Sequence, residues 1–259
     1  MTPTYSAVLK RALLAGVLVG IALGVYVLAV VEPVITDAIV LEERLSDVHT
    51  QAESVVAHDH GDDALVSRRG QLAGGFVASV ALSVIVAGVF GTLFAAVRHR
   101  LPGRNDFQRS MWLGTVGFVS VALIPGLKYP ANPPAVGDAA TVGERSVQWL
   151  SLVIVSMIAV FFLSRLSVAL RSRTDDAARC CLVAVASIGA FGALLALYPS
   201  TPDSISPDVP AALVWDFRLR SLGSLALLWG GIGAGFGLFM NSLTQRDTAT
   251  VTVTPDVYV

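Results

Sequence analysis

Cysteine is almost absent from this 259-residue chain: Cys180 and Cys181 are the only two, and they are neighbours. Adjacent cysteines cannot clamp a fold by bridging to each other, so they read as small apolar residues. Lysine is equally scarce, confined to Lys10 and Lys128, with arginine supplying the rest of the basic residues. Charged residues make up 14% of the chain and the net charge is -1, which excludes a basic field for nucleic acid. The four histidines, His49, His58, His60 and His99, all avoid the long apolar runs. That removes a Ser–His pair, or a metalloprotease with its ligands inside membrane helices. H-E-x-x-H and P-loop patterns are missing as well, so neither an enzyme nor a permanently bound cofactor is expected.

Apolar sequence is what the chain has in excess. Hydrophobic residues reach 54% and the mean hydropathy is +0.69, the signature of an all-α integral membrane protein. A span needs about 20 mostly apolar residues. Six stretches qualify, at about 12 to 31, 72 to 97, 111 to 127, 147 to 169, 179 to 198 and 221 to 242. The first follows Lys10 and Arg11 as a signal peptide would, but its apolar run is too long and carries no clear cleavage site, so it reads as an uncleaved span. Arg98, Arg100, Arg104 and Arg109 mark the link after the second span, and Arg165, Arg171, Arg173 and Arg179 the link after the fourth. The positive-inside rule places both links and both termini in the cytoplasm, giving three hairpins with external loops at 32–70, 128–146 and 199–220. The expected organisation is one polytopic domain over 1–243 in the cell membrane, then a flexible tail over 244–259. Within the first external loop, residues 34–45 space apolar side chains and acids as an amphipathic interfacial helix does. Gly16, Gly20 and Gly24, and the pairs Gly231/Gly235 and Gly233/Gly237, let helices approach closely, within one chain or between copies.

The candidate chemistry collects in the loops. His58, Asp59, His60, Asp62 and Asp63, with His49 upstream, offer imidazole and carboxylate to a divalent ion such as Co, Ni, Cu or Zn, or form a solvated acidic loop that happens to carry histidines. Charges at the span ends, Glu32, Lys128, Asp138, Arg145, Asp216 and Arg218, either line a polar vestibule or reach outward to lipid headgroups. From Leu123 to Asp138 prolines dominate, so a stiff non-helical connector is expected there. This stretch and the loop from Tyr198 both open on Tyr-Pro and end on Arg-Ser, which suggests a degenerate repeat of the second and third hairpins. No chain of acids or amides runs through the spans, so a self-sufficient ion path is not evident and a partner subunit is expected.

Several of these stretches resemble the CbtA family of cobalt transporter subunits. The resemblance lies in Leu127 to Asp138 with Thr141-Val142-Gly143-Glu144-Arg145, in Glu32-Pro33, in Val66-Ser67-Arg68-Arg69-Gly70-Gln71 and in Trp215 to Ser221. It implies a membrane subunit for cobalt uptake in support of cobalamin synthesis, with Co²⁺ as the transported ion. It also implies a small single-span CbtB-like partner with a histidine-rich terminus. Ligand chemistry alone leaves open nickel or a corrinoid as cargo, a non-transporting scaffold for a partner, and a homo-oligomer.

Overall fold

A computed structural model describes residues 3–52, 67–134, 136–137, 139–201 and 205–251, with the side chains of 46–52, 139 and 243–251 left out. Its regular structure is helical throughout: α1 (Tyr5–Tyr26), α2 (Glu32–Ala52), α3 (Arg68–Val97), α4 (Asp106–Gly117), α5 (Ile124–Lys128), α6 (Val142–Leu170), α7 (Asp176–Leu197) and α8 (Ala211–Val251). Six continuous helical stretches among the described residues are long and apolar enough to cross a membrane: Tyr5–Leu45, Arg68–Arg100, Asp106–Lys128, Val142–Leu170, Asp176–Leu197 and Ala211–Ser242. Each contains or overlaps one of the six spans expected from the sequence.

Two of these stretches contain short π-helical segments, Val27–Val31 joining α1 to α2 and Phe118–Leu123 joining α4 to α5. In both, the last wide-turn hydrogen bond is made by the residue just before a proline: Glu32 N–H donates to the Val27 carbonyl ahead of Pro33, and Ile124 N–H to the Val119 carbonyl ahead of Pro125. A proline inside an α-helix removes a donor and crowds the carbonyl four residues back. Widening the preceding turn lets the chain stay helical through it. Hence the stretch from Leu123 to Asp138 is not free of helix as expected; α5 runs through Pro125, and the non-helical connector starts at Tyr129. The same device carries the first helix past Glu32-Pro33 into α2, so residues 34–45 continue a helix begun at Tyr5. The interruptions fall in the first and third spans, whereas α7 is unbroken. At the other terminus α8 continues to Val251. Extending an existing helix needs no new nucleus, and Gln245 and Arg246 favour it.

The contacts divide the chain into two compact units. The first comprises residues 1–33, 46–115 and 223–259. It is organised by glycine. A Cβ on Gly20 would lie 2.6 Å from the Val80 Cα, and one on Gly16 would meet Ala87, Ser83 and Val84 of α3 at 2.8–2.9 Å. In α8, Gly231 abuts Val19 of α1, and Gly237 abuts Phe107 and Ser110 of α4. The glycine spacing therefore serves packing within the chain, and backbones touch where lipid gives no hydrophobic push between helices. Phe90 and Phe94 pack edge-on against Phe236, with ring centroids 5.6 and 5.0 Å away. The Ser110 hydroxyl donates to the Gly233 carbonyl at 2.6 Å.

The second unit holds residues 34–45 and 116–222. Its packed cluster is small: Ile124, Tyr129 and Leu152, flanked by Val119, Phe191, Leu194, Leu195 and Tyr198, while Val34, Ala38, Ala122, Val153 and Val214 are buried outside it. No side chain of α7 is buried, and α6 buries only Leu152, Val153 and Ser156.

Candidate functional site

The residues selected for metal capture fall where side chains are not described. His58, Asp59, His60, Asp62 and Asp63 lie outside the described residues, and His49 sits on α2 within its undescribed side chains. Among the described residues no three His, Cys, Asp or Glu side chains gather to hold a metal. Asp138 also lies outside the described residues.

In the first unit, Glu32 and Arg68 form an ion pair, with Arg68 Nη2 donating to Glu32 Oε1. Arg68 opens α3 directly after its N-cap, Ser67, whose Oγ accepts from Gly70 N–H at 3.3 Å. Its other terminal nitrogen, Nη1, donates to Gln71 Oε1 at 3.2 Å. No acid stands in the first turn of α3, where the helix dipole favours negative charge, so Glu32 supplies it from another helix. Sequence reading placed Glu32 at a span end but missed its partners, because the pairing crosses 36 residues.

At the link between α3 and α4 the same unit holds Asp106, buried to 3% exposure. Arg98 Nε and Nη2 donate to its two carboxylate oxygens at 2.7 and 2.5 Å, and Arg109 adds a contact at 3.3 Å. Two guanidiniums compensate one desolvated acid, which makes removal of either sign costly. In sequence the arginines of this link mark only topology. An acid at a helix start among four arginines was the available signal.

In the second unit the vestibule candidates at the Pro-rich loops stitch those loops together. Lys128 Nζ donates to the Leu195 carbonyl at 2.9 Å, a cation on the last turn of α7, where the dipole favours it. The neighbouring Tyr129 hydroxyl donates to the Pro199 carbonyl at 2.8 Å, and its ring meets that of Tyr198 edge-on at 6.4 Å. Tyr198 in turn donates to Ser151 Oγ at 2.8 Å. The two Tyr-Pro steps that echo each other in sequence thus pack on each other. Burial first, and the neighbouring Tyr198 second, raise Tyr129 above its ordinary 10.0, so its phenol stays a donor. Arg218, from the second turn of α8, reaches the loop after Tyr129, with Nη2 donating to Asn132 Oδ1 at 2.8 Å and Nε to the Ala131 carbonyl at 3.4 Å. The same guanidinium lines an open cleft of about 460 Å³ walled by Ile205, Val209, Ala211, Val214 and Trp215. Asp216 is half-exposed and makes an i,i+4 ion pair with Arg220 at 3.7 Å, while Arg145 sits partly buried in the first turn of α6. Deeper in the span, the Ser156 hydroxyl is fully buried and has no hydrogen-bond partner.

Six apolar helical spans, with ion pairs and clamps concentrated at their ends, define a multi-pass helical membrane protein. The family described as "probable cobalt transporter subunit (CbtA)" matches residues 5–241, and the chain belongs to that family. Neither the curated proteins nor the solved structures yielded a match to it. The family is one of transporter subunits, which places the chain in a transport system with at least one further component.

Proposed function

We propose that this chain is the membrane subunit of a Co²⁺ uptake system in the cell membrane that supplies cobalamin synthesis. Family membership over residues 5–241 is the observation that carries the reading. His58 and His60, with Asp59, Asp62, Asp63 and His49, form the capture segment on the outer side, because imidazole and carboxylate together suit first-row divalent ions. Glu32 in one unit and Asp138 and Asp216 in the other offer carboxylates at span ends; Lys128, Arg145 and Arg218 shape the loops beside the latter two. The arginine-rich links and both termini lie in the cytoplasm and the spans form three hairpins, as the positive-inside rule requires. The partner is a small single-span subunit with a histidine-rich terminus, and the chain acts as no enzyme. Replacing His58 and His60 together with Ala is expected to cut ⁵⁷Co²⁺ accumulation at limiting metal, and unchanged uptake would remove them from the mechanism.

A second reading is favoured by one observation. Among the described residues the only buried acid is Asp106, at a span end and already held by two arginines, so the spans themselves offer no carboxylate path. A scaffold that assembles the transporting partner needs none. Proteoliposomes containing the purified chain alone separate the two, because a scaffold carries no metal across. Nickel or a corrinoid as cargo is tested by competition in the same assay.

A further inference from the structure

Glu32 Oε1 and Gln71 Oε1, from two different helices, both accept from the guanidinium of Arg68. One carboxylate oxygen and one amide oxygen turned toward a single cation are a donor set that a hydrated divalent ion also uses. The present occupant is tied to the chain and poorly placed to stay. Arg68 and Arg69 stand in the first turn of α3, where positive charge opposes the helix dipole. The Arg68 side chain is 43% exposed and can swing into water, whereas Glu32 is 18% exposed and cannot be left without a cation at small cost.

We propose that Arg68 is a built-in surrogate cation that holds a divalent-metal site at Glu32 and Gln71 closed. An arriving divalent cation expels it, and Glu32 and Gln71 become ligands beside retained waters. Expulsion needs no bond chemistry: one cation replaces another, and the repulsion between the bound dication and the guanidinium keeps the side chain in solvent. Such an exchange makes the site selective for charge, since a monovalent ion gains too little from one carboxylate to displace an arginine already paired with it. This deepens the uptake reading and rests on it for the identity of the metal.

The test is equilibrium binding of ⁵⁷Co²⁺ to the purified full chain in nanodiscs, in a His58→Ala/His60→Ala background that silences the capture segment. Arg68→Gln is expected to lower the half-saturating concentration by about tenfold, because a competitor has been removed. Glu32→Gln is expected to raise it at least as much, and the double variant Arg68→Gln/Glu32→Gln to follow Glu32→Gln. Arg68→Lys, which keeps the charge and loses the planar fork, should fall between Arg68→Gln and the parent; it decides the matter if Arg68→Gln fails to fold. Unchanged or weaker binding in folded Arg68→Gln, or in Arg68→Lys where it must stand in, overturns the proposal. Uptake by the unmodified chain, measured in parallel, separates the two readings. Uptake without tighter binding in Arg68→Gln sinks the surrogate cation alone, and tighter binding without uptake sinks the transport reading alone.

Discussion

The two units are built from similar apolar helices and are held together by different physics. In the first, glycines bring backbones into contact, three phenylalanines fill the space beside them, and the core includes thirteen buried hydrophobic side chains. In the second, the packed cluster joins only three buried residues, no side chain of α7 is fully buried, and the helices are joined at one end by hydrogen bonds from Lys128 to Leu195, Tyr129 to Pro199, Tyr198 to Ser151 and Arg218 to Asn132. Close packing has one good arrangement and resists displacement, because dispersion contacts are lost over fractions of an ångström. A few end-on hydrogen bonds fix loops while leaving the helix faces to lipid or to another chain. For a transporter subunit the division is useful: one unit keeps its shape, and the other keeps surfaces open.

The contrast can be broken most sharply at Asp106. Asp106→Asn leaves two partly buried guanidiniums, Arg98 and Arg109, around a neutral group, and should cost the first unit about 2–3 kcal/mol, seen as lost folded yield or a lower midpoint in detergent unfolding. Next comes a matched pair of glycine substitutions. Gly20→Ala forces a methyl group against the α3 backbone and should destabilise by about 1–3 kcal/mol. Gly189→Ala in α7 meets nothing within 4 Å and should gain about 0.5–1 kcal/mol from helix propensity. Equal effects at the two positions would erase the distinction between the units.

The smallest expected change sharpens the second unit. Tyr129→Phe removes one hydrogen bond to Pro199, worth about 1 kcal/mol. It should also change the alkaline limb of stability. Because the folded-state value of Tyr129 is raised, its contribution is complete below pH 10.0 and disappears as pH rises through the raised value. The difference between parent and Tyr129→Phe, followed by tryptophan fluorescence during a titration, should therefore shrink above about pH 10. A difference that grows above that pH would contradict the assignment.

The six spans were legible because membrane crossing imposes length and apolarity on local sequence, which any window can register. The glycine spacing was legible for the same reason, although Val80, Ala87 and Phe107 as its recipients were not. The π-helical segments were hidden: the prolines were visible, and their usual effect is to end helices, but Glu32 and Ile124 reach back five residues and keep the helix going. Of the candidate residues, Glu32, Lys128 and Arg218 stand out in sequence by the cost of charge at a membrane boundary. Their partners do not, since Arg68, Leu195 and Asn132 lie 36, 67 and 86 residues away and no local rule joins them. Asp106 was overlooked because its arginines had already been assigned to topology.

The most direct test of the central claim is radiolabelled Co²⁺ uptake in cells lacking their own cobalt importers. The chain would be expressed alone and with a candidate small partner, and challenged with Ni²⁺ and Zn²⁺. Saturable uptake that the other metals compete poorly is the result the account predicts. Absence of uptake in both conditions, with membrane insertion verified, would contradict transport and leave the scaffold reading standing.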